Sequence, residues 1–362
     1  MTRLRQLQQA GVSIWLDALS RDLLDSGDFR RLAERGVTGA TSNPTIFAKA
    51  ITGSAAYDRQ LAQLVADGMR EPRELFFAIA LDDIRAAAAV LRPVYDRTQG
   101  RDGFVSFECT PDVADDTAST IRQAWELWTR LNLPNVMIKV PATPAGIPAI
   151  EELTARGVNV NITLLFALRR YGQVMDAYLS GLEQRVTQGE PLDRVASVAS
   201  FFVSRIDTVA DLQLAADSPL RGTIATANAR RAYRLYQQRF SSPRWQRLAD
   251  RGARKQRPLW ASTGTKDPAY SDVRYVEGLI ADGVVNTMPL ATLEAFDDHG
   301  DPRLRPLGDD AEADAGVEVL PAAGIDLDAI TDDLERDGVA KFARSYAELT
   351  ACIEDKLQVL TR

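Results

Sequence analysis

Short runs in which apolar and polar residues alternate recur along the chain, and each is followed by a longer stretch with the 3.6-residue spacing of a helix. The alternating runs are SIWLD (13–17), VTGATSNP (37–44), FVSFECT (104–110), NVMIKVP (135–141), VNVNITLLF (158–166), RVASVASFFVS (194–204), PLWASTG (258–264) and VVNTMP (284–289). Helical spacing is expected over residues 21–35, 57–91 with a break near Gly68 to Pro72, 121–131, 143–157, 171–186 and a long region 206–252. Asn43-Pro44 stops the second run, and Pro148 and Gly157 fit the first turn and the end of one helix. Eight strand-then-helix alternations predict a parallel sheet with its crossover helices outside, closed into a (β/α)8 barrel of TIM type. A doubly wound open sheet is the structural alternative. Residues 1–362 are read as one domain, with barrel strands over about 13–289 and additional helices, including a C-terminal extension over about 326–358 packed on the barrel or over its mouth. Segment 299–325, with Asp301, Asp309, Asp310, Glu312 and Asp314, is expected to be an acidic loop.

One alternating run contains a cation. In 135–141, Val136, Ile138 and Val140 share one face, which puts Lys139 on the other with Met137. Desolvation among apolar neighbours lowers a lysine's pKa towards the range where the free amine attacks a carbonyl, so Lys139 is a candidate Schiff-base residue. The ordinary alternative is a snorkelling or ion-paired lysine near a strand end.

Composition narrows the chemistry. With 45% apolar and 26% charged residues and a net charge of −7, the chain has the balance of a water-soluble globular protein and no general affinity for nucleic acid. The stretch 230–257, with ten Lys/Arg and one acid, reads as an amphipathic helix with a solvated face. Two cysteines, Cys109 and Cys352, make no disulfide framework, and alternation points Cys109 outward into inert core. The N-terminus lacks the apolar core of a secretory signal, and no apolar run approaches the ~20 residues that span a bilayer. A cytoplasmic location without membrane partners is therefore expected. His299 is the sole histidine, which argues against His-dependent triads and metal sites, and phosphate-binding glycine motifs are absent, so neither metal nor cofactor is expected.

Active sites of such barrels lie at the C-terminal strand ends. There the pattern gathers polar groups: Asp17, Asn43, Ser106 with Glu108, Lys139, the face carrying Asn159, Asn161 and Thr163, and Ser200 with Phe202 just before Arg205. Each has an everyday reading: Asp17 as a helix cap, Asn43 as a turn residue, Thr163 and Asn161 as partners for backbone groups, Glu108 as a counter-ion to Lys139, Phe202 as core. Their joint placement is unlike an apolar plug. A lysine and two carboxylates, Asp17 and Glu108, suit cleavage of a carbon–carbon bond beside an iminium, one acid taking the hydroxyl proton and the other moving protons through water.

VTGATSNPTIF (37–47) and NVMIKVPATPAGIPAIEELTARGVNVNITLLF (135–166) resemble the two signatures of the transaldolases, and the resemblance extends over roughly residues 12–298. It implies a class I aldolase-type barrel with circularly permuted strand order. The implied reaction transfers a dihydroxyacetone unit between sugar phosphates in the non-oxidative pentose phosphate pathway, with no cofactor. By matching motif, Lys139 is the Schiff-base residue, Asp17 the acid/base for cleavage, and Glu108 with Thr163 the holders of a catalytic water. Asn43 and Asn161 bind the dihydroxyacetone hydroxyls, Ser200 and Phe202 shape the pocket, and Arg205 takes the substrate phosphate. Where the family often has an arginine in a short loop, WASTGTKDP offers Lys266 after a slightly longer one. A monomer or homodimer is expected. The rival readings are an aldolase that releases free dihydroxyacetone and a sugar-phosphate-binding barrel without turnover.

Overall fold

A computed structural model describes residues 2–304 and 311–360; the expected acidic positions Asp309 and Asp310 lie outside them. Eight parallel strands close into a barrel in sequence order: β1 (Ser13–Leu16), β2 (Gly39–Thr41), β3 (Val105–Glu108), β4 (Val136–Pro141), β5 (Val160–Leu165), β6 (Ser197–Phe202), β7 (Arg257–Ala261) and β8 (Val285–Met288). β8 seals the cylinder against β1, with Ser13 beside Val285 and Leu16 beside Met288. The open doubly wound alternative is excluded. Every strand residue except Ser13 and Arg257 is buried, as a sheet with helices outside and side chains within requires.

Most strands are shorter than the alternation suggests, because the polar ends of each run leave the ladder and turn over the rim. Asp17 is one residue past β1, yet its amide still donates to Met288 O at 2.8 Å, which fixes its backbone to the last strand. Asn43 lies beyond β2 and caps the helix Pro44–Thr52. Gly39 is required by packing: a Cβ there would come within 2.4 Å of the Trp15 ring, itself held by an indole hydrogen bond of 2.9 Å to Asp102.

Three helical expectations are corrected. Residues 21–35 form two helices, Arg21–Asp25 and Asp28–Arg35, parted by Gly27 at a left-handed φ of 76°. The region 206–252 forms Ser204–Ala210, Ile224–Arg239 and Pro243–Ala249. Segment 299–325 is not all loop, since Ala311–Glu318 is helical. Its Asp314 pairs with Arg234 at 2.5 Å and with Arg231 at 3.4 Å. Arg239 and Arg244 likewise pair with Asp176, so much of the basic face of 230–257 is committed to this chain's own acids.

The C-terminal helix, Leu327–Leu360, lies across the C-terminal rim. A Cβ on Gly338 would fall 2.8 Å from Leu164 Cδ2 at the end of β5, while Thr45, just past β2, donates to Ser345 Oγ at 2.7 Å. Tyr346 meets Phe76 edge-on at 6.1 Å, and Arg170 pairs with Glu335 at 3.2 Å. Of the two expected positions, on the barrel or over its mouth, these contacts show the helix packed on the rim.

Candidate active site

Strand register does the first work of assembly. Glu108 on β3 stands beside Lys139 on β4, and Lys139 stands beside Asn161 on β5. Inward-facing partners in register bring Lys139 Nζ to 3.1 Å from Glu108 Oε2, with about 5% of each side chain exposed. The ammonium also donates to Ser42 O at 3.1 Å, so the backbone just before Asn43 forms part of its cradle. Burial pushes the Glu108 carboxyl above the usual carboxylate range, opposed chiefly by the charge of Lys139. A pair this deeply buried is screened far less than an ion bridge at the surface.

Beyond the pair, Asn161 bridges its neighbours. Its amide donates to Ser106 Oγ at 2.9 Å, and its carbonyl accepts from Ser200 Oγ at 2.7 Å, tying β3, β5 and β6 into one polar layer. Thr163 Oγ1 is buried with no hydrogen-bond partner among the described residues, and Glu108 Oε2 has the ion pair with Lys139 but no well-aligned hydrogen bond. A buried hydroxyl left unspent is costly in a stable fold and is characteristic of a site that receives other groups.

Asp17 is oriented by two hydroxyls. Thr41 donates to its Oδ1 at 2.7 Å, and Thr41 Oγ1 is 2.7 Å from Thr287 Oγ1, so a hydroxyl chain from β8 through β2 ends on the carboxylate. Arg205, in the first turn of the helix Ser204–Ala210 that follows β6, stacks on the Phe202 ring at 4.9 Å, and its Nη1 is buried without a partner among the described residues. Burial holds its pKa down, and Asp337, Asp17 and Glu108, in that order, oppose the shift, which places the guanidinium in one electrostatic neighbourhood with both carboxylates. Phe202 is thus part of the cation's floor, packed at 5.2 Å against Phe166.

Two expected residues stand differently. Asn43 spends its side-chain oxygen on Ile46 N at 2.9 Å as a helix cap, leaving its amide NH2 as the group able to reach a ligand. Lys266 is exposed in the loop after β7. Thr41, Thr287 and Asp337 were not singled out from the sequence. The threonines act through closure of the barrel, and Asp337 arrives on a helix far along the chain; no local pattern marks any of them.

The family model for transaldolase/fructose-6-phosphate aldolase matches residues 14–353. This chain is a member of that family. A protein called transaldolase in Acidothermus cellulolyticus is 49% identical over 361 residues, covering 98% of this chain and 97% of its own. A transaldolase of Saccharopolyspora erythraea is also 49% identical, covering 98% of each chain, and transaldolase 1 of Streptomyces avermitilis is 48% identical with 98% and 96% covered. The near-complete coverage of these relatives includes the C-terminal helix.

Proposed function

We propose that this protein is a transaldolase, moving a dihydroxyacetone unit from sedoheptulose 7-phosphate to glyceraldehyde 3-phosphate to give erythrose 4-phosphate and fructose 6-phosphate, reversibly, in the non-oxidative pentose phosphate pathway of the cytoplasm. The observation that carries this reading is the buried amine of Lys139, 3.1 Å from the Glu108 carboxyl. The amine adds to the ketose carbonyl and the carbinolamine loses water to give an iminium. Glu108, with the hydroxyl of Thr163, steadies the water through which those protons move. Asp17 takes the proton from the hydroxyl beyond the scissile bond; the carbon–carbon bond breaks, its electrons enter the iminium, and the aldose leaves. The enamine left on Lys139 then adds to the acceptor aldehyde, Asp17 returns its proton, and hydrolysis frees the new ketose. Asn161, the amide of Asn43 and Ser200 bind the hydroxyls of the three-carbon unit, Phe202 closes one wall, and Arg205 holds the phosphate through its unpaired nitrogen. Lys266 is a second, peripheral charge for the same phosphate.

Borohydride added with fructose 6-phosphate should fix a stable adduct on Lys139, located by mass spectrometry. An unmodified lysine would instead leave a sugar-phosphate-binding barrel without turnover. Because the family also contains fructose-6-phosphate aldolases, dihydroxyacetone release without acceptor is the separating measurement. Release as fast as transfer would make the protein an aldolase.

A further inference from the structure

Only Ala18, Leu19 and Ser20 separate Asp17 from the first residue of the next helix, so whatever fixes that helix fixes the carboxylate's backbone. The helix Arg21–Asp25 has five residues, of which Leu23 and Leu24 pack against the core without being fully buried. Its polar anchor is extensive. Arg21 Nε donates to Asp83 Oδ1 at 2.9 Å, Nη2 to Ile79 O at 3.1 Å and Nη1 to Gln60 Oε1 at 2.5 Å. The Tyr57 hydroxyl accepts from the Arg21 amide at 2.9 Å and donates to Asp83 Oδ2, also at 2.9 Å, while the guanidinium lies 4.7 Å over the Tyr57 ring.

Asp83 sits inside the helix Pro72–Arg97 with 3% of its side chain exposed, and Arg21 has 14%. A nearly buried ion pair is a poor source of stability, since apolar residues of similar volume do as well or better, but it fixes geometry through its hydrogen bonds. Here five groups converge on the main chain and side chain of one arginine that follows directly on the turn carrying Asp17. Thr41 orients one carboxylate oxygen, and within residues 18–20 Leu19 is buried in the core, so the arginine adds polar fixation to a turn seated by one apolar side chain.

We propose that Arg21, Asp83 and Tyr57 form a positioning latch that holds the turn after Asp17 in the geometry for carbon–carbon cleavage. The inference rests on the reading of Asp17 as the cleavage acid/base. A misplacement of about 1 Å costs on the order of 100-fold in a positioned step, so a loosened latch should act on cleavage and leave the chemistry at Lys139 alone.

The test uses Asp83→Asn, which removes the charge and keeps the shape, and Tyr57→Phe, which removes one hydroxyl. Each is measured for borohydride-trapped adduct, KM and single-turnover cleavage of fructose 6-phosphate. Cleavage should fall about tenfold in Asp83→Asn and a few-fold in Tyr57→Phe, with adduct yield and KM within about twofold of the parent. Cleavage at the parental rate, or adduct and cleavage falling in parallel, would overturn the latch. If Asp83→Asn does not fold, Tyr57→Phe decides alone. Asp17→Ala is run beside them. Parental transfer in Asp17→Ala removes the role of Asp17 and the latch with it, whereas an inactive Asp17→Ala beside fully active latch variants removes the latch alone.

Discussion

Lys139 and Asp17 divide the proposed reaction between them, and their substitutions should therefore fail differently. Lys139→Ala should give neither adduct nor transfer. Asp17→Ala should still be trapped by borohydride while transfer falls by at least about 100-fold, because the imine forms before the hydroxyl proton is taken. Glu108→Gln removes a carboxyl whose neutral form burial favours; both adduct formation and its hydrolysis should slow by about 100-fold, read as single-turnover rates. Asp207, on the helix that begins just before Arg205, gives a pH test of stability. Its carboxyl is pushed up to about 6 by burial, against hydrogen bonds from the Ala225 amide and the Tyr275 hydroxyl. The folded value exceeds the unfolded one of about 4, so its contribution is complete below that pH and is lost as pH rises through about 6. Asp207→Asn, which cannot ionise, should gain melting temperature relative to the parent between pH ~4 and ~7, on the order of 2–3 kcal/mol in all; a gap independent of pH would contradict this. The site's main members were legible because period-two alternation puts Glu108, Lys139 and Asn161 on the inner face whatever the barrel's details. Thr41 and Thr287 were not, since their value lies in a contact between strands 246 residues apart.

At the scale of elements, strands were easier to read than the segments joining them. A strand declares its faces within five or six residues, while the helix Ala311–Glu318 depends on Arg231 and Arg234, far earlier in the chain, to neutralise Asp314. Its acidity resembled that of a solvated loop for that reason. The basic stretch 230–257 shows the complementary case: its first part is helical as expected, but its charges find partners that no local window contains. The C-terminal helix was recognisable as a helix, but its seat on the rim includes a close approach at Gly338 that no local pattern marks. Gly338→Leu drives a side chain into Leu164 and should cost about 1–3 kcal/mol, seen as a lower melting temperature. Because the helix packs on the rim beside Leu164 and Thr45, KM for fructose 6-phosphate should rise as well, whereas an unchanged KM would confine Gly338 to a structural role.

For the molecule as a whole, closure of the sheet decides when the site exists. The carboxylate of Asp17 is written near the beginning of the chain, but its amide is held by Met288 and its oxygen by a hydroxyl chain that reaches Thr287. During synthesis the strands carrying Glu108 and Lys139 leave the ribosome long before β8 does. Until β8 follows, Asp17 lacks the amide and hydroxyl partners that fix it in the closed barrel. The seam between the first and last strands thus makes the surroundings of Asp17 complete only when nearly three hundred residues have been folded into place.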